Sequence, residues 1–136
     1  MSIYALDSNI ISFYLKENST VIENIEKAVS ENHPIVIPPI AYYEVKRGLL
    51  LINAAKLLRK LENLCELFPV GELGDYLLED AAKIYVQERR AKRNTEDADI
   101  FIAAFCIHNN YILVTDNIKH FENITGLHSV NWNAIL

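Results

Sequence analysis

The sequence predicts an α/β fold, in which helices cover both faces of a central, mainly parallel sheet of four to five strands, a three-layer α/β/α arrangement. Short apolar runs alternate along the chain with longer segments of helical periodicity, which is the order typical of parallel sheets. The 136 residues, 51% of them hydrophobic, suffice for one sizeable core. We therefore predict one domain over residues 1–136.

The first predicted strand and helix meet at an acidic residue. The apolar run "SIYAL" (2–6) predicts a buried strand that ends at Asp7. The next segment, "SNIISFYLKEN", predicts a helix capped by Asp7 or Ser8, because a short polar side chain can bind free backbone N–H groups of the first turn.

A second helix and a second strand follow. In residues 19–32, apolar side chains recur at helical spacing, at Ile22, Ile25 and Val29. The proline-bracketed run "PIVIP" (34–38) predicts a strand, and Pro39 suits the first turn of the helix that carries "IAYYEVKRGLL". Gly48 is a candidate point for a break or bend in that helix.

The second half of the chain repeats this alternation. Residues 52–68 are strongly helical and lead into a short strand at "ELFPV". One apolar helical face then runs to about Arg90, marked by Leu73, Leu77, Ala81 and Ile84. After the apolar helix "TEDADIFIAAFCI" (95–107) come a buried strand at 111–115 and an edge strand at 128–132.

Composition excludes several classes of protein. No apolar run reaches the roughly 20 residues of a membrane span, and the first residues lack the basic and apolar regions of a secretory signal. Cys65 and Cys106 lie in apolar segments, so we expect buried thiols in a reducing cytoplasm rather than a disulfide. The four histidines lack zinc-ligand spacing.

Four acidic residues are predicted to meet at one end of the molecule. Asp7 and Asp116 each follow a buried strand, and Glu44 lies about a turn and a half into the helix after "IVI". Asp99 lies near the start of the helix before the "YILV" strand. Because such a helix runs antiparallel to its strand, its N-terminus lies at the same carboxyl edge, where ligands of parallel sheets bind.

Asp99 is the most informative of the four acids. With Thr95 as the predicted N-cap, Glu96 and Asp97 fall in the first turn, where carboxylates favour the helix dipole. Asp99 instead shares a face with the apolar residues at i+3, i+4 and i+7, which are Ile102, Ala103 and Cys106. That face is expected to pack on the sheet, so the carboxylate is directed at the acidic edge.

A cluster of carboxylates indicates a hard divalent cation. Carboxylates held together repel one another and lose hydration, and a bound cation offsets both costs. Oxygen ligands without His or Cys suit Mg²⁺, with Mn²⁺ as a substitute, and such a site supports phosphodiester hydrolysis. Taken singly, each acid also fits a helix cap, a turn or a surface ion pair. The joint placement of four favours the metal site.

Basic residues are clustered on an otherwise acidic chain. The net charge of −5 argues against nonspecific coating of nucleic acid. Ten of the thirteen Lys and Arg residues nevertheless fall in two stretches, which hold Lys46, Arg47, Lys56, Arg59 and Lys60, and then Lys83, Arg89, Arg90, Lys92 and Arg93. Each stretch fits a solvated helix face, and the two together also fit a local phosphate-binding surface.

At these residues the chain resembles the PIN-domain ribonucleases of the VapC toxin type, over nearly its whole length. "YALDSNIIS" resembles the family's opening strand and first acid, here Asp7. "IAYYEVKRGL" resembles the segment with the second acid and a following glycine, here Glu44 and Gly48. "DADIFIAA" resembles the third-acid helix, with Asp99 in the acid's place, and "YILVTDNIKHFENITGLHSVNW" resembles the closing segment.

The resemblance implies a cytoplasmic, Mg²⁺-dependent endoribonuclease, the toxin of a type II toxin–antitoxin pair, that forms a homodimer and is inhibited by a VapB-like antitoxin. It implies that Asp7, Glu44 and Asp99 hold the cation, directly or through water. In many members the closing segment carries its Asp or Asn two residues after the threonine, a position occupied here by Asn117. We predict that Asp116 is the functional group that completes the pocket, because hard cations prefer charged oxygen ligands.

Other residues are candidates for supporting roles. Asn9, Thr115 and Asn117 are candidates for orienting the acids or the phosphate. Candidate RNA contacts in the two basic stretches are Lys46, Arg47, Arg89 and Arg90. One of these stretches is alternatively a contact for the antitoxin.

Three alternatives use similar acids. A non-catalytic phospho-receiver module needs adjacent acids near its first strand and a lysine after a late strand, whereas Asp7 stands alone and "LVTDN" has no such lysine. An enzyme with a nucleophilic aspartate usually carries a DxD motif, but Ser8 and Asn9 follow Asp7. A catalytically inactive PIN domain, kept for protein or RNA binding, is disfavoured by the intact set of acids.

Overall fold

The computed structural model describes residues 2–134. Its elements in chain order are β1 (Tyr4–Leu6), α1 (Ser8–Leu15), α2 (Ser19–Ser30), β2 (Ile35–Val36), α3 (Pro39–Leu51), α4 (Ala55–Leu67), α5 (Tyr76–Arg90), α6 (Asp97–Asn109), β3 (Ile112–Val114), α7 (Ile118–Phe121) and β4 (Ser129–Val130). The strands form one sheet in the order β2-β1-β3-β4, and every neighbouring pair is parallel. The predicted α/β fold is confirmed, with β4 as the expected edge strand.

The two central strands are covered on both faces. Ala5 and Leu6 of β1 are fully buried, and so are Leu113 and Val114 of β3. Because successive side chains of a strand point to opposite faces, burial of consecutive residues requires helices on both sides of the sheet. This burial agrees with the predicted α/β/α layering.

The expected fifth strand is reduced to a single bridge. Val70, in the segment "ELFPV", pairs in parallel with Ile37. The Ile37 N–H donates to the Pro69 carbonyl at 2.9 Å, and the Gly71 N–H donates to the Ile37 carbonyl at 2.8 Å. Pro69 has no N–H to donate, which limits further pairing at this edge.

Several helix boundaries differ from those predicted. α3 continues through Gly48 without a break. α5 begins at Tyr76, so Leu73 lies outside it and is exposed. The buried side chains of α2 have the spacing i, i+4 and i+7 and are Val21, Ile25 and Ala28. The predicted face of Ile22, Ile25 and Val29 was therefore partly wrong, since Ile22 is only partly buried and Val29 is exposed.

The start of α6 also differs from the prediction. The helix spans Asp97–Asn109, and its N-cap is Glu96 rather than Thr95. The Thr95 hydroxyl instead donates to Oε1 of Glu88 at 2.6 Å. A buried carboxylate on α5 has therefore engaged the side chain that was predicted to cap α6.

Across residues 2–134, no helix is both long enough and apolar enough to cross a lipid bilayer.

Candidate active site

The carboxyl ends of β1 and β3 lie side by side and fix the position of Asp7. The Asp7 N–H donates to the Val114 carbonyl at 2.8 Å. In the side chain, which is only 3% exposed, Oδ1 accepts from the Ser8 N–H at 2.8 Å and Oδ2 accepts from the Thr115 hydroxyl at 2.7 Å. Asp7 is thus the N-cap of α1 and a carboxylate whose two oxygens are both held.

Three predicted acids line one cleft of about 370 Å³ at this edge of the sheet, namely Asp7, Glu44 and Asp99. Asp7 comes from the junction of β1 and α1, Glu44 from α3 and Asp99 from the first turn of α6. This arrangement agrees with the prediction that these three acids meet at one edge of the sheet.

Burial raises the pKa of all three carboxyl groups, and repulsion from neighbouring carboxylates adds to each increase. Burial raises the pKa of Asp7, and the charge of Asp99 adds to the increase, against the hydrogen bonds from Thr115 and Ser8. Burial also raises the pKa of Glu44, with further contributions from Asp7 and Asp99. Burial raises the pKa of Asp99, and the neighbouring His120 partly offsets this increase. The cleft therefore resists carrying three negative charges without a positive partner.

The donor set fits a hydrated hard cation. Within residues 2–134, no three His, Cys, Asp or Glu side chains lie close enough together to ligate one ion directly. Mg²⁺ usually keeps several waters and binds through one or two carboxylates, so the acids could hold it partly through water. Oε1 of Glu44 is buried and has no hydrogen-bond partner among these residues. An unpartnered oxygen of this kind is available to a cation or to its water shell.

The two candidates for the fourth position of the pocket, Asp116 and Asn117, differ in their placement. Asn117 lines the cleft, and Asp116 lies outside the set of lining residues. Oδ1 of Asp116 accepts from the side-chain amides of Asn131 and Asn133, at 3.2 and 3.4 Å. Asp116 does not cap α7 either, since Asn117 occupies that position. The segment after β4 thus supplies hydrogen bonds that turn the charged residue away from the other acids.

Two predicted supporting residues hold the turn after β3. Oδ1 of Asn9, which also lines the cleft, accepts from the backbone N–H of Asp116 at 3.2 Å. The Thr115 hydroxyl donates to Asp7 and also accepts from the backbone N–H of Asn117 at 3.0 Å. These bonds connect the end of β3 to α1 and set the position of Asn117.

The predicted RNA contacts on α3 differ in position. Arg47 lines the cleft, and its guanidinium lies 5.0 Å from the ring centre of the exposed Tyr43. Lys46 lies outside the cleft, near Cys65. Burial raises the pKa of the Cys65 thiol, and the charge of Lys46 partly offsets this increase. Arg47 is therefore the residue of this pair that is placed to meet a ligand of the cleft.

The two predicted RNA contacts on α5, Arg89 and Arg90, also differ in their surroundings. Arg89 donates to the carbonyl oxygens of Arg93 and Thr95, at 2.9 and 3.2 Å. Its guanidinium also lies 4.5 Å from the ring centre of Tyr85. Arg89 therefore supports the loop before α6, whereas Arg90 is exposed at the end of α5. Neither residue lines the acidic cleft.

Two features of the site were missed by the sequence reasoning. His120 of α7 lines the cleft, with Nδ1 3.4 Å from Oδ2 of Asp99, and no sequence periodicity indicates this contact.

Glu88 is 2% exposed and accepts from Arg93 and Thr95, which fixes the loop that leads into α6. A signal for Glu88 was present, because it continues the apolar face formed by Leu77, Ala81 and Ile84.

Comparison with known proteins gives the same family from sequence and from structure. The PIN-domain family model matches residues 4–127. Ribonuclease VapC1 of Haemophilus influenzae strain R2866 is 28% identical over 131 residues, which cover 96% of this chain and 98% of that protein. Ribonuclease VapC2 of Rickettsia felis is 26% identical over 136 residues, with the same coverage.

Solved structures with the same fold include two VapBC assemblies. VapBC2 from Rickettsia felis, bound to a DNA fragment from the promoter, superimposes with a TM-score of 0.88 at 24% identity, covering 96% of this chain and 98% of that one. VapBC-1 from nontypeable Haemophilus influenzae gives a TM-score of 0.84 at 28% identity, covering 97% and 99%. Since the family model extends over nearly all of the sequence and the fold agrees with it, the chain belongs to the PIN-domain family.

Proposed function

We propose that this protein is a metal-dependent endoribonuclease that hydrolyses RNA phosphodiester bonds. The observation that carries the proposal is the joint placement of Asp7, Glu44 and Asp99 in one cleft at the carboxyl edge of the parallel sheet. The similarity to proteins named Ribonuclease VapC1 and VapC2, along almost their full lengths, supports RNA as the substrate.

The three acids are proposed to hold Mg²⁺, with Mn²⁺ as a substitute. The cation would supply charge neutralisation at the scissile phosphate and Lewis acidity for the attack of water on phosphorus. Asp7 contributes a carboxylate already fixed by Thr115, and Glu44 contributes an oxygen without another partner. The neutral amide of Asn117, which lines the cleft, is proposed for the fourth position, for which residue chemistry alone favours Asp116.

The biological role proposed is that of the toxin in a type II toxin–antitoxin pair. Two solved structures with this fold are VapBC assemblies, which supports a VapB-like antitoxin as a partner and inhibitor. Homodimer formation and a cytoplasmic location belong to the same proposal. Co-expression with the product of an adjacent antitoxin gene should relieve growth arrest if the role is correct.

The chemistry is tested by a pair of substitutions on α6. Asp99→Asn keeps the shape of a side chain that lines the cleft and removes its charge, so RNA cleavage in Mg²⁺ should be abolished. Asp97→Asn makes the same change at an exposed position of the same turn and should leave cleavage near the parental level. Both proteins are checked for folding by thermal melting. Equal activity in the two folded variants would remove Asp99 from the proposed metal site, and an inactive parent with either cation would overturn the function.

A further inference from the structure

A second cavity, of about 450 Å³, adjoins the acidic cleft. The two share Glu96, Asp99 and His120 as lining residues, so they are continuous around the start of α6. A polymer held at its reacting bond in the acidic cleft can therefore extend directly into the second cavity. We call this second cavity the side cavity.

The far wall of the side cavity is basic. Its lining includes Arg93 and Asn94 from the loop before α6, and Lys119 from α7. Lys119 is exposed and forms no ion pair with any residue in the described range 2–134. Its ammonium group is thus a free positive charge beside a cleft whose charged lining is mostly carboxylate.

Arg93 adds a fixed donor to this wall. Nε and Nη2 of Arg93 donate to Oε2 of the buried Glu88, at 2.9 and 2.6 Å, while 37% of the side chain is exposed. The guanidinium is therefore oriented before any ligand arrives, although its charge is largely neutralised by Glu88. Lys119 supplies the charge at this wall, and Arg93 and Asn94 supply positioned hydrogen-bond donors.

We propose that the side cavity binds the RNA phosphate next to the scissile one, with Lys119 as its principal cation. The inference rests on the proposed ribonuclease function and adds a direction to it: the RNA chain runs from the acidic cleft across Asp99 toward α7. The acids attract a cation but repel the neighbouring phosphates. A protein with a net charge of −5 therefore needs a local positive group to hold the polyanion on either side of the metal.

Arg47 completes this path on the other side. It lines the acidic cleft from α3, beside the exposed ring of Tyr43, whereas the side cavity opens from α6 toward α7. Cations thus flank the three acids on two sides. The aromatic ring offers a surface on which an unpaired base can stack.

The test measures RNA binding in the Asp99→Asn background, where the RNA is not cleaved. Lys119→Ala should weaken binding of a short single-stranded RNA about five- to tenfold at low salt, and should reduce the slope of log K against log salt by about 0.7, the effect of losing one phosphate contact. Lys83→Ala removes an exposed lysine on α5, which lies 3.9 Å from Glu79, and should change neither quantity. Lys119→Arg keeps the charge and should restore both.

Cleavage kinetics in the otherwise unmodified protein give an independent readout. Lys119→Ala should raise KM with little change in kcat, because it removes a contact that is equally strong before and during reaction. If the parent cleaves RNA while Lys119→Ala binds with parental affinity and salt slope, the side cavity is not a phosphate site. If the parent does not cleave RNA at all, the proposed function itself fails, and the two failures are thereby distinguished.

Discussion

The Thr115 hydroxyl donates a 2.7 Å hydrogen bond to Oδ2 of Asp7, from the end of one parallel strand to the end of its neighbour. The Ser8 N–H occupies Oδ1, so each oxygen of Asp7 has one donor and the carboxylate cannot rotate freely. This arrangement fixes the carboxylate in place before a cation binds. Its cost is a buried charge beside two other acids in the metal-free protein.

The first prediction concerns how the stability of the metal-free protein depends on pH. Because the folded protein holds the Asp7 proton to higher pH than the unfolded chain does, the free energy of unfolding without metal falls as the pH rises from 3.8 through the raised native pKa. Asp7→Asn removes that loss and keeps a helix-capping side chain. Its metal-free melting temperature at pH 7 should equal or exceed that of the parent, and Mg²⁺ should stabilise it less.

Thermal melting between pH 4 and pH 7, with and without Mg²⁺, measures both effects. Asp97→Asn serves as the control for loss of one charge at an exposed site and should respond to Mg²⁺ as the parent does. A much lower metal-free melting temperature for Asp7→Asn, together with a parental response to Mg²⁺, would make Asp7 a purely structural residue.

The second prediction concerns the buried carboxylate of Glu88. Hydrogen bonds from Arg93 and then Thr95 lower the pKa of Glu88, against the opposing effect of burial. Its contribution to stability is therefore present above the ordinary value of 4.5 and is lost as the pH falls through the lowered native pKa. Glu88→Gln should reduce the free energy of unfolding at pH 7 by about 1–3 kcal/mol, since charged hydrogen bonds in a buried position are lost.

Urea denaturation at pH 7 and pH 4 provides the measurement. Glu79→Gln on the same helix breaks only an exposed pair with Lys83, so its effect should stay within about 0.5 kcal/mol. Similar values for the two variants at pH 7 would contradict a stabilising role for the Glu88 network. Glu88→Gln should also slow RNA cleavage, because the loop that Glu88 holds leads directly into the helix that carries Asp99.

Local periodicity was sufficient to predict most of the fold. Apolar runs of strand length and stripes of helical spacing reflect which side chains must leave water, and that requirement acts residue by residue. Asp7, Glu44 and Asp99 could be located in the same way, since each position follows from the end of a strand or the start of a helix. The strand predicted at "ELFPV" is only a bridge at Val70, and α6 begins slightly later than predicted. Both errors involve only a few residues.

Side-chain contacts between different elements account for what the sequence did not predict. Thr95 is a good N-cap by residue type, yet it binds Glu88, which lies seven residues earlier on α5. The contact between His120 and Asp99 joins α7 to the start of α6 across the intervening strand β3. Local preference cannot identify such partners, because each depends on how complete elements pack.

The final prediction compares Asp116 with Asn117, where the structure reverses the expectation from sequence. Asp116 binds Asn131 and Asn133, and Asn133 in turn accepts from Asn18 at 3.0 Å. The Asp116 carboxylate therefore ties the segment after β4 to the body of the protein, while Asn117 lines the cleft. In a Mg²⁺ titration of RNA cleavage, Asn117→Ala should require more Mg²⁺ or cleave more slowly. Asp116→Asn should cleave almost normally and show a modestly lower melting temperature. A folded but inactive Asp116→Asn beside a fully active Asn117→Ala would place the Asp116 charge at the cation, as residue chemistry alone had suggested.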